Sequence, residues 1–266
     1  MNKSRILVGT SGYSYKDWIG VLYPPATRSN DFLRVYAKEF HVSELNFTYY
    51  RMPQPDLVKR LAAQTGPDFL FSIKAHITLT HEKRPDLSSL SSLFLKGIEP
   101  IIESGKLASV LLQFPYSFYY NKENRNYLDK LCVQLGTVPL AVEFRNRYWQ
   151  KESVYNGLAE RDIAVVNVDE PDLPGLLKQS DIVTSKIGYI RFHGRNQTNW
   201  WKGDNVTRYD YLYTDSELRE WIPGIQTIAA QASLVLIVFN NHSKGQAVQN
   251  ARRLKEILLQ SHVQPV

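Results

Sequence analysis

Short runs of apolar residues alternate with longer amphipathic stretches along the whole chain. The runs have the length and β-branched content of buried strands, and the stretches repeat apolar residues three or four positions apart, as helices do. The predicted strands are Arg5–Thr10, Ser43–Phe47, Phe69–His76, Ala108–Phe114, Leu140–Arg145, Ile163–Asp169, Gly188–His193 and Leu234–Asn240. The predicted helices are Asp31–Phe40, Pro55–Gln64, Ser91–Ser104, Lys122–Leu135, Lys151–Arg161, Ser216–Ala230 and Gly245–Leu259.

Strands that alternate with helices predict parallel βαβ units, either in a closed barrel or in an open doubly wound sheet. The turn Gly9-Thr10-Ser11-Gly12-Tyr13 lacks the third glycine of a dinucleotide-binding fingerprint, so no nucleotide cofactor is expected. The length of 266 residues is close to the ~250 of a typical barrel. We therefore predict an α/β fold, a (β/α)₈ TIM barrel that forms a single domain over residues 1–266. Its sixth helix is degenerate, since Pro171 and Pro174 leave room for little more than Gly175–Gln179, and a long aromatic loop follows strand seven.

Five predicted strands end with two polar residues separated by one apolar residue. Residues two apart share one face of a strand, and the outer face of a barrel packs on helices. The polar pairs should therefore converge inside the barrel at its C-terminal face, where barrel enzymes keep their sites. The pairs are Glu44/Asn46, Lys74/His76, Glu143/Arg145, Asn167/Asp169 and Arg191/His193, extended by Gln113 on strand four and by Asn240 or Asn241 on strand eight.

This cluster has two interpretations. In the first it is a working site, with Glu44, Glu143, His193, His76 and Asp169 as candidate catalytic groups and the remaining residues as substrate ligands. In the second it is a structural ion network, in which the charged side chains pair with one another and bind no ligand. A divalent metal is not favoured, because cationic residues are interleaved among the candidate ligands and no tight ligand spacing appears.

The charge of the chain favours an anionic ligand, either a phosphorylated small molecule or nucleic acid. The net charge is +6 and the isoelectric point is near 9.2. Arg195 and Lys244 follow strands seven and eight, and the helix near Gly245 would present free N–H groups, which together predict a phosphate seat. The alternative is ordinary capping of that helix by Ser243. The loop between residues 195 and 213 is rich in Trp, Tyr and cations, which suits either stacking on bases or sugars or a lid with its own small core.

Several of these motifs resemble the YecE-like family, a domain of unknown function. They run in order across nearly the whole chain, and the resemblance implies a TIM barrel without naming a reaction. Tyr49 is a mild departure, where the family suggests Phe. The matching segments are Val8–Tyr15 with Trp18, Glu44–Asn46 with Tyr49–Arg51, Leu111–Pro115, Ala141–Arg145 with Trp149, Arg191–Arg195, and Phe239–His242 with Gly245–Ala247.

The leading functional prediction is an enzyme that acts on a phosphorylated, sugar-containing or nucleotide-like substrate by carboxylate and histidine acid–base chemistry. Glu143 or Glu44 would be the base and His193 or His76 the acid. The alternatives are a non-catalytic nucleic-acid-binding protein that uses a basic rim and the aromatic loop, and a sensor without turnover. A single cysteine, no signal-peptide pattern and no long apolar stretch predict a cytoplasmic protein with no membrane partner.

Overall fold

Eight parallel strands close into a barrel in this computed structural model, which describes residues 4–204 and 206–266. Each strand pairs with its neighbours in sequence, and β1 pairs with β8 to close the ring. This confirms the predicted (β/α)₈ TIM barrel. The strands are β1 (Arg5–Ser11), β2 (Val42–Leu45), β3 (Leu70–Lys74), β4 (Leu107–Gln113), β5 (Leu140–Glu143), β6 (Ala164–Asp169), β7 (Ile187–Phe192) and β8 (Leu234–Phe239).

Helices follow most strands and cover the outside of the barrel. They are α1 (Phe32–Tyr36), α2 (Phe47–Tyr50), α3 (Pro55–Ala63), α4 (Ile77–Thr80), α5 (Leu87–Glu103), α6 (Lys122–Leu135), α7 (Glu152–Ala159), α8 (Asp215–Glu220), α9 (Ile222–Gln231) and α10 (Gln246–Gln260). The short helices α2 and α4 were not predicted. The predicted helix Ser216–Ala230 is divided at Trp221, because Pro223 suits the first turn of a new helix and not a helix interior.

The connection between β6 and β7 has no helix. None of the described residues 170–186 is helical, which confirms the degenerate sixth helix. Side chains instead satisfy the irregular backbone there. The Asn167 amide donates to Ile182 O at 2.9 Å and accepts from Ile182 N at 3.0 Å. The Asn167 side chain therefore holds the β6–β7 connection against the end of β6.

The barrel wall is packed tightly against the helix layer on its outer face. At Gly188 of β7 an added Cβ would lie 2.2 Å from Cγ2 of Ile228 in α9, so only glycine allows this close approach. Several strands also end earlier than predicted. As a result Asn46, His76, Arg145 and His193 lie just beyond their strands, where loop geometry sets their direction. In the part of the chain that the structure describes, no helix has the length and apolar character needed to cross a membrane.

Candidate functional site

A buried ion network forms the floor of the barrel mouth. Arg191 of β7 points inward and bridges two carboxylates from opposite sides of the barrel. Its Nη2 lies 2.6 Å from Oε1 of Glu44, and its Nη1 bonds Oε2 of Glu143. All three side chains are almost completely buried. These charges are tolerated because each has a partner of opposite sign.

Further donors complete the network around the two carboxylates. Tyr189 OH donates to Glu44 at 2.7 Å, and Arg145 Nε donates to Glu143 at 2.5 Å. Burial alone would raise the pKa of Glu143, but Arg145 and Arg191 outweigh it and hold this pKa well below its usual range. Glu143 is therefore ionised and fully engaged, which makes it a weak base.

His193 is an uncharged member of the same floor. The side-chain amide of Asn240 donates to Nδ1 of His193 at 3.1 Å, so we assign the ring proton to Nε2. That atom lies 3.2 Å from Oε1 of Glu143, outside good hydrogen-bond geometry. Burial and the nearby Arg145 lower the pKa of His193 to about 3. At neutral pH this imidazole is neutral and inaccessible, which does not suit the predicted acid.

A cavity of about 650 Å³ lies directly above this floor. Among the described residues that line it there are four Lys or Arg side chains and seven Tyr or Trp side chains, but no Asp or Glu. The lining residues are Tyr15, Asn46, Tyr49, Tyr50, Lys74, Ile77, His81, Gln113, Pro115, Tyr116, Arg145, Leu176, Arg191, Trp200, Trp201, Arg208, Tyr209, Asn240 and His242. The walls are thus cationic and aromatic, whereas the carboxylates stay beneath.

One wall of the cavity carries two nitrogen bases. Lys74 at the end of β3 points inward, and its Nζ lies 4.3 Å from the centre of the Tyr49 ring. Burial and the charge of Arg191 lower the pKa of Lys74 to about 7. Burial and Lys74 likewise lower the pKa of His81 to about 4. His81 was not among the predicted site residues, because it follows the short helix α4 and belongs to no strand-end pair.

The aromatic loop after β7 forms a lid over the cavity. Trp200 is buried and packs edge-on against Tyr209, with 6.1 Å between the ring centres. Trp201 and Arg208 also line the cavity. The loop therefore has the small core of a lid and at the same time presents aromatic and cationic groups to the site.

The structure divides the predicted site residues into three groups. Those that line the cavity are Asn46, Lys74, Gln113, Arg145, Arg191 and Asn240. Those buried in the floor beneath it are Glu44, Glu143 and His193. Those outside the cavity lining are His76, Asn167, Asp169, Arg195, Asn241 and Lys244.

The predicted inward direction of the Asn167/Asp169 pair is wrong. Neighbouring residues in paired strands share a face, and Val168 is the register partner of Arg191. Val168 therefore faces inward, and the two polar residues on either side of it face the outer layer. The apolar residue between the polar pair did not mark the outside of this strand, because the β6–β7 connection has no helix and the two polar side chains bind its irregular backbone and Arg195 instead.

The predicted phosphate seat is also not assembled at its expected place. Arg195 turns outward to Asp169, with Nη2–Oδ2 at 2.7 Å, and Glu220 lies 2.9 Å from the same nitrogen. Lys244 Nζ pairs with Asp210 at 2.8 Å, and its side chain is 72% exposed. Both cations already have carboxylate partners away from the cavity.

Two other predicted residues hold local structure. His76 caps α4, because its Nδ1 accepts from Thr78 N at 3.4 Å. Asn241 donates to Tyr211 O and to Asn250 Oδ1, both at 2.8 Å, and so ties the aromatic loop to α10. No three His, Cys, Asp or Glu side chains within the described ranges are grouped so that they could hold a metal ion.

A family model and one relative match almost the whole chain, and a second relative matches part of it. The family model described as "Protein of unknown function DUF72" covers residues 7–265. The UPF0759 protein YunF of Bacillus subtilis (strain 168) is 32% identical over 273 residues, which cover 95% of this chain and 94% of that relative. The UPF0759 protein YecE of Escherichia coli (strain K12) is 28% identical over 172 residues, 62% of this chain and 59% of that relative.

Solved structures agree with these relatives. The crystal structure of a DUF72 family protein from Thermotoga maritima superimposes with a TM-score of 0.89 at 38% identity, covering 96% of this chain and 99% of that one. A DUF72 family protein from Enterococcus faecalis V583 gives a TM-score of 0.86 at 26% identity over 96% and 95% of the two chains. The chain therefore belongs to the DUF72 family, in agreement with the YecE-like motifs in its sequence.

Proposed function

We propose that this protein is an enzyme whose substrate is anionic and carries a ring, as a phosphorylated sugar or a nucleotide-like compound does. One observation carries the proposal: the cavity walls are cationic and aromatic, and no carboxylate is among their described lining residues. Cations without competing carboxylates attract a phosphate, and aromatic faces stack on a base or a sugar.

Arg208 is the best candidate for the phosphate ligand. Its Nη2 makes only a long contact of 3.5 Å with Gly203 O, and its Nε has no hydrogen-bond partner within the described residues. A buried guanidinium atom without a partner is costly, so an incoming oxyanion would satisfy it. Arg145 and Arg191, in contrast, already hold Glu143.

The mouth of the cavity supplies the ring contacts. Tyr50 is 70% exposed and Trp201 is 50% exposed, although both are large aromatic residues. Stacking of a substrate ring on these faces would remove their apolar surface from water. An aromatic pair at the mouth and a guanidinium in the wall together favour a ligand with a ring at one end and a phosphate at the other.

The acid–base chemistry belongs to groups that line the cavity. Glu143 and His193, one of the predicted base–acid pairs, are buried in the floor, where both lie next to Arg145. Lys74 and His81 face the cavity and have lowered pKa values, so the His81 ring is uncharged at neutral pH and Lys74 titrates close to that pH. A base whose pKa is close to the working pH is the most effective proton acceptor.

Thermal unfolding with a panel of ligands tests the binding step. Phosphorylated ring compounds such as ADP should raise the melting temperature in a saturable way, whereas adenosine should raise it less. Arg208→Ala should weaken phosphate-dependent binding by about 1.5–3 kcal/mol, the range for a hydrogen bond to a charged group, or roughly 10- to 100-fold. Lys202→Ala is the matched control, since Lys202 is an exposed cation on the same loop outside the cavity lining.

Other results would contradict the proposal. If only oligonucleotides bind, with a steep salt dependence that survives Arg208→Ala, the non-catalytic nucleic-acid-binding alternative is supported instead. If each ligand that binds is recovered unchanged after prolonged incubation, as followed by NMR, the enzymatic part of the proposal fails.

A further inference from the structure

We infer that Lys74 is a nucleophile that forms a Schiff base with the carbonyl carbon of a phosphorylated aldehyde or ketone held in the cavity. The inference rests on the proposed anion site, because that site would bring the carbonyl to the amine. It assigns a covalent role to one residue and a substrate class to the cavity.

The position of Lys74 suits this role. It is the register partner of Leu111 at the C-terminal end of β3, and it is the one lysine among the described residues that line the cavity. Its Nζ faces the ring of Tyr49 and makes no ion pair within 4 Å in the described parts of the chain. A nucleophilic lysine needs a position that disfavours its ammonium form and offers no fixed hydrogen-bond acceptor.

Lys106 shows what a structural lysine looks like in the same protein. Its Nζ donates to Ala62 O at 2.7 Å, to Thr65 O at 2.9 Å and to Thr65 Oγ1 at 3.0 Å. These three acceptors engage all three ammonium protons, so none is left for a ligand. Among the described residues Lys74 has no comparable set of acceptors, so its amine is available to a ligand.

The charged groups around Lys74 come from several strands. Arg191 and Arg145 disfavour its ammonium form, whereas Glu44 and Glu143 favour it. Burial and the arginines prevail, because the two carboxylates are already paired with Arg191. With a pKa of about 7, a large fraction of Lys74 is the free amine at neutral pH. An ordinary lysine is uncharged in roughly one molecule in a few thousand at that pH.

The reaction needs no oxidant or reductant. The amine lone pair forms the C–N bond, and the carbonyl π electrons move to oxygen. The nitrogen then gives up both of its protons to the former carbonyl oxygen. The oxygen leaves as water, and a C=N bond remains. The neutral His81 lies on the same wall, with its ring centre 5.0 Å from that of Tyr49, and would relay protons in this step.

Borohydride trapping tests the inference with pyridoxal 5′-phosphate as the probe, a phosphorylated ring aldehyde. Reduction at pH 7 followed by peptide mass spectrometry should find one label per chain, on Lys74. The labelling rate should rise with pH through a midpoint near the pKa of about 7. Lys74→Met should lower the total labelling rate at least tenfold. Lys244→Met, which removes an exposed, ion-paired lysine near the mouth, should leave it unchanged.

Two outcomes separate this inference from the proposed function. If Lys74→Met still binds ADP while label is spread evenly over surface lysines in the parent protein, the Schiff base is wrong and the anion site stands. If Lys74 is labelled selectively, but equally fast by pyridoxal without its phosphate and in Arg208→Ala, the nucleophile stands and the anion site is wrong. Lys74→Arg, which keeps the positive charge, provides a second non-nucleophilic variant if Lys74→Met fails to fold.

Discussion

Arg191 and Arg208 face the same cavity but differ in what they already bind. Arg191 spans two buried carboxylates in the floor, whereas Arg208 in the lid makes, within the described residues, one long contact to a backbone carbonyl. Both Nη1 and Nη2 of Arg191 are engaged inside the protein by carboxylates, and only its Nε lacks a partner among the described residues. The guanidinium of Arg208 remains available to a ligand that enters the cavity.

The same contrast separates the floor from the walls as a whole. Buried charges of the floor are paired, and removal of one partner leaves another charge buried without compensation. The wall groups Lys74 and Arg208 are not paired in this way, and such unsatisfied groups cost stability that a ligand can restore. The floor should therefore respond to mutation mainly through stability, and the walls mainly through binding.

The largest effect should follow Arg191→Met. This change removes the only guanidinium that bridges Glu44 and Glu143 among the described residues. Unfolding in urea should show a loss of about 3–5 kcal/mol, the range for breaking a buried ion pair on one side. Arg208→Met is the control and should change stability by no more than about 0.5 kcal/mol. Equal losses in the two variants would remove the distinction between floor and wall.

A smaller loss is expected from Tyr189→Phe. The Tyr189 hydroxyl contacts Oε2 of Glu44 at 2.7 Å and Oγ of Ser72 at 2.9 Å, both inside the floor. Its removal should cost about 1–3 kcal/mol, because a buried carboxylate oxygen loses its donor. Tyr209→Phe in the lid is the control for urea unfolding, and no loss is expected there. No change on Tyr189→Phe would mean that water or Arg191 compensates for the missing hydroxyl.

The third effect depends on pH. The pKa of Lys74 is lowered to about 7 in the folded protein, while the unfolded chain keeps its ordinary value near 10.4. Between these values the unfolded state binds more protons, so stability rises with pH through this window and is lost as pH falls toward 7. Lys74→Met removes the penalty. Its gain in melting temperature over the parent should be larger at pH 6 than at pH 9, and an equal gain at both would show that the pKa of Lys74 is ordinary.

Sequence periodicity found the floor because the floor lies on regular strands. Glu44, Glu143 and Arg191 face inward as the two-residue repeat requires. Asn167 and Asp169 follow the same pattern and face outward, because the β6–β7 connection lacks a helix and these two side chains hold irregular backbone and Arg195. Where the layer outside a strand is itself polar, the polarity of the side chains therefore does not show which face of the strand points into the barrel.

The walls were harder to predict, because they come from segments without a fixed repeat. Tyr49 lies in the short helix α2, and His81 directly follows α4. Neither helix has enough turns to show a periodic pattern. Lys74 and Arg145, which continue strands, were found, and so was the general role of the aromatic loop. Which cation of that loop meets the cavity depends on how the lid folds, and local sequence does not encode it.

The smallest effect concerns Lys244, which the sequence places in a phosphate seat and the structure pairs with Asp210. Its side chain is 72% exposed, and an exposed ion pair contributes about 0–1 kcal/mol. Lys244→Ala should therefore change stability little and leave the rise in melting temperature with ADP as it is in the parent. Arg208→Ala should reduce that rise in the same experiment. Salt should also matter little to the ADP effect at the inner site, since Arg208 is half-buried and screening acts mainly on exposed charges. If Lys244→Ala instead reduces the rise as much as Arg208→Ala does, the anion binds at the rim between strands seven and eight, and the wall is not the binding surface.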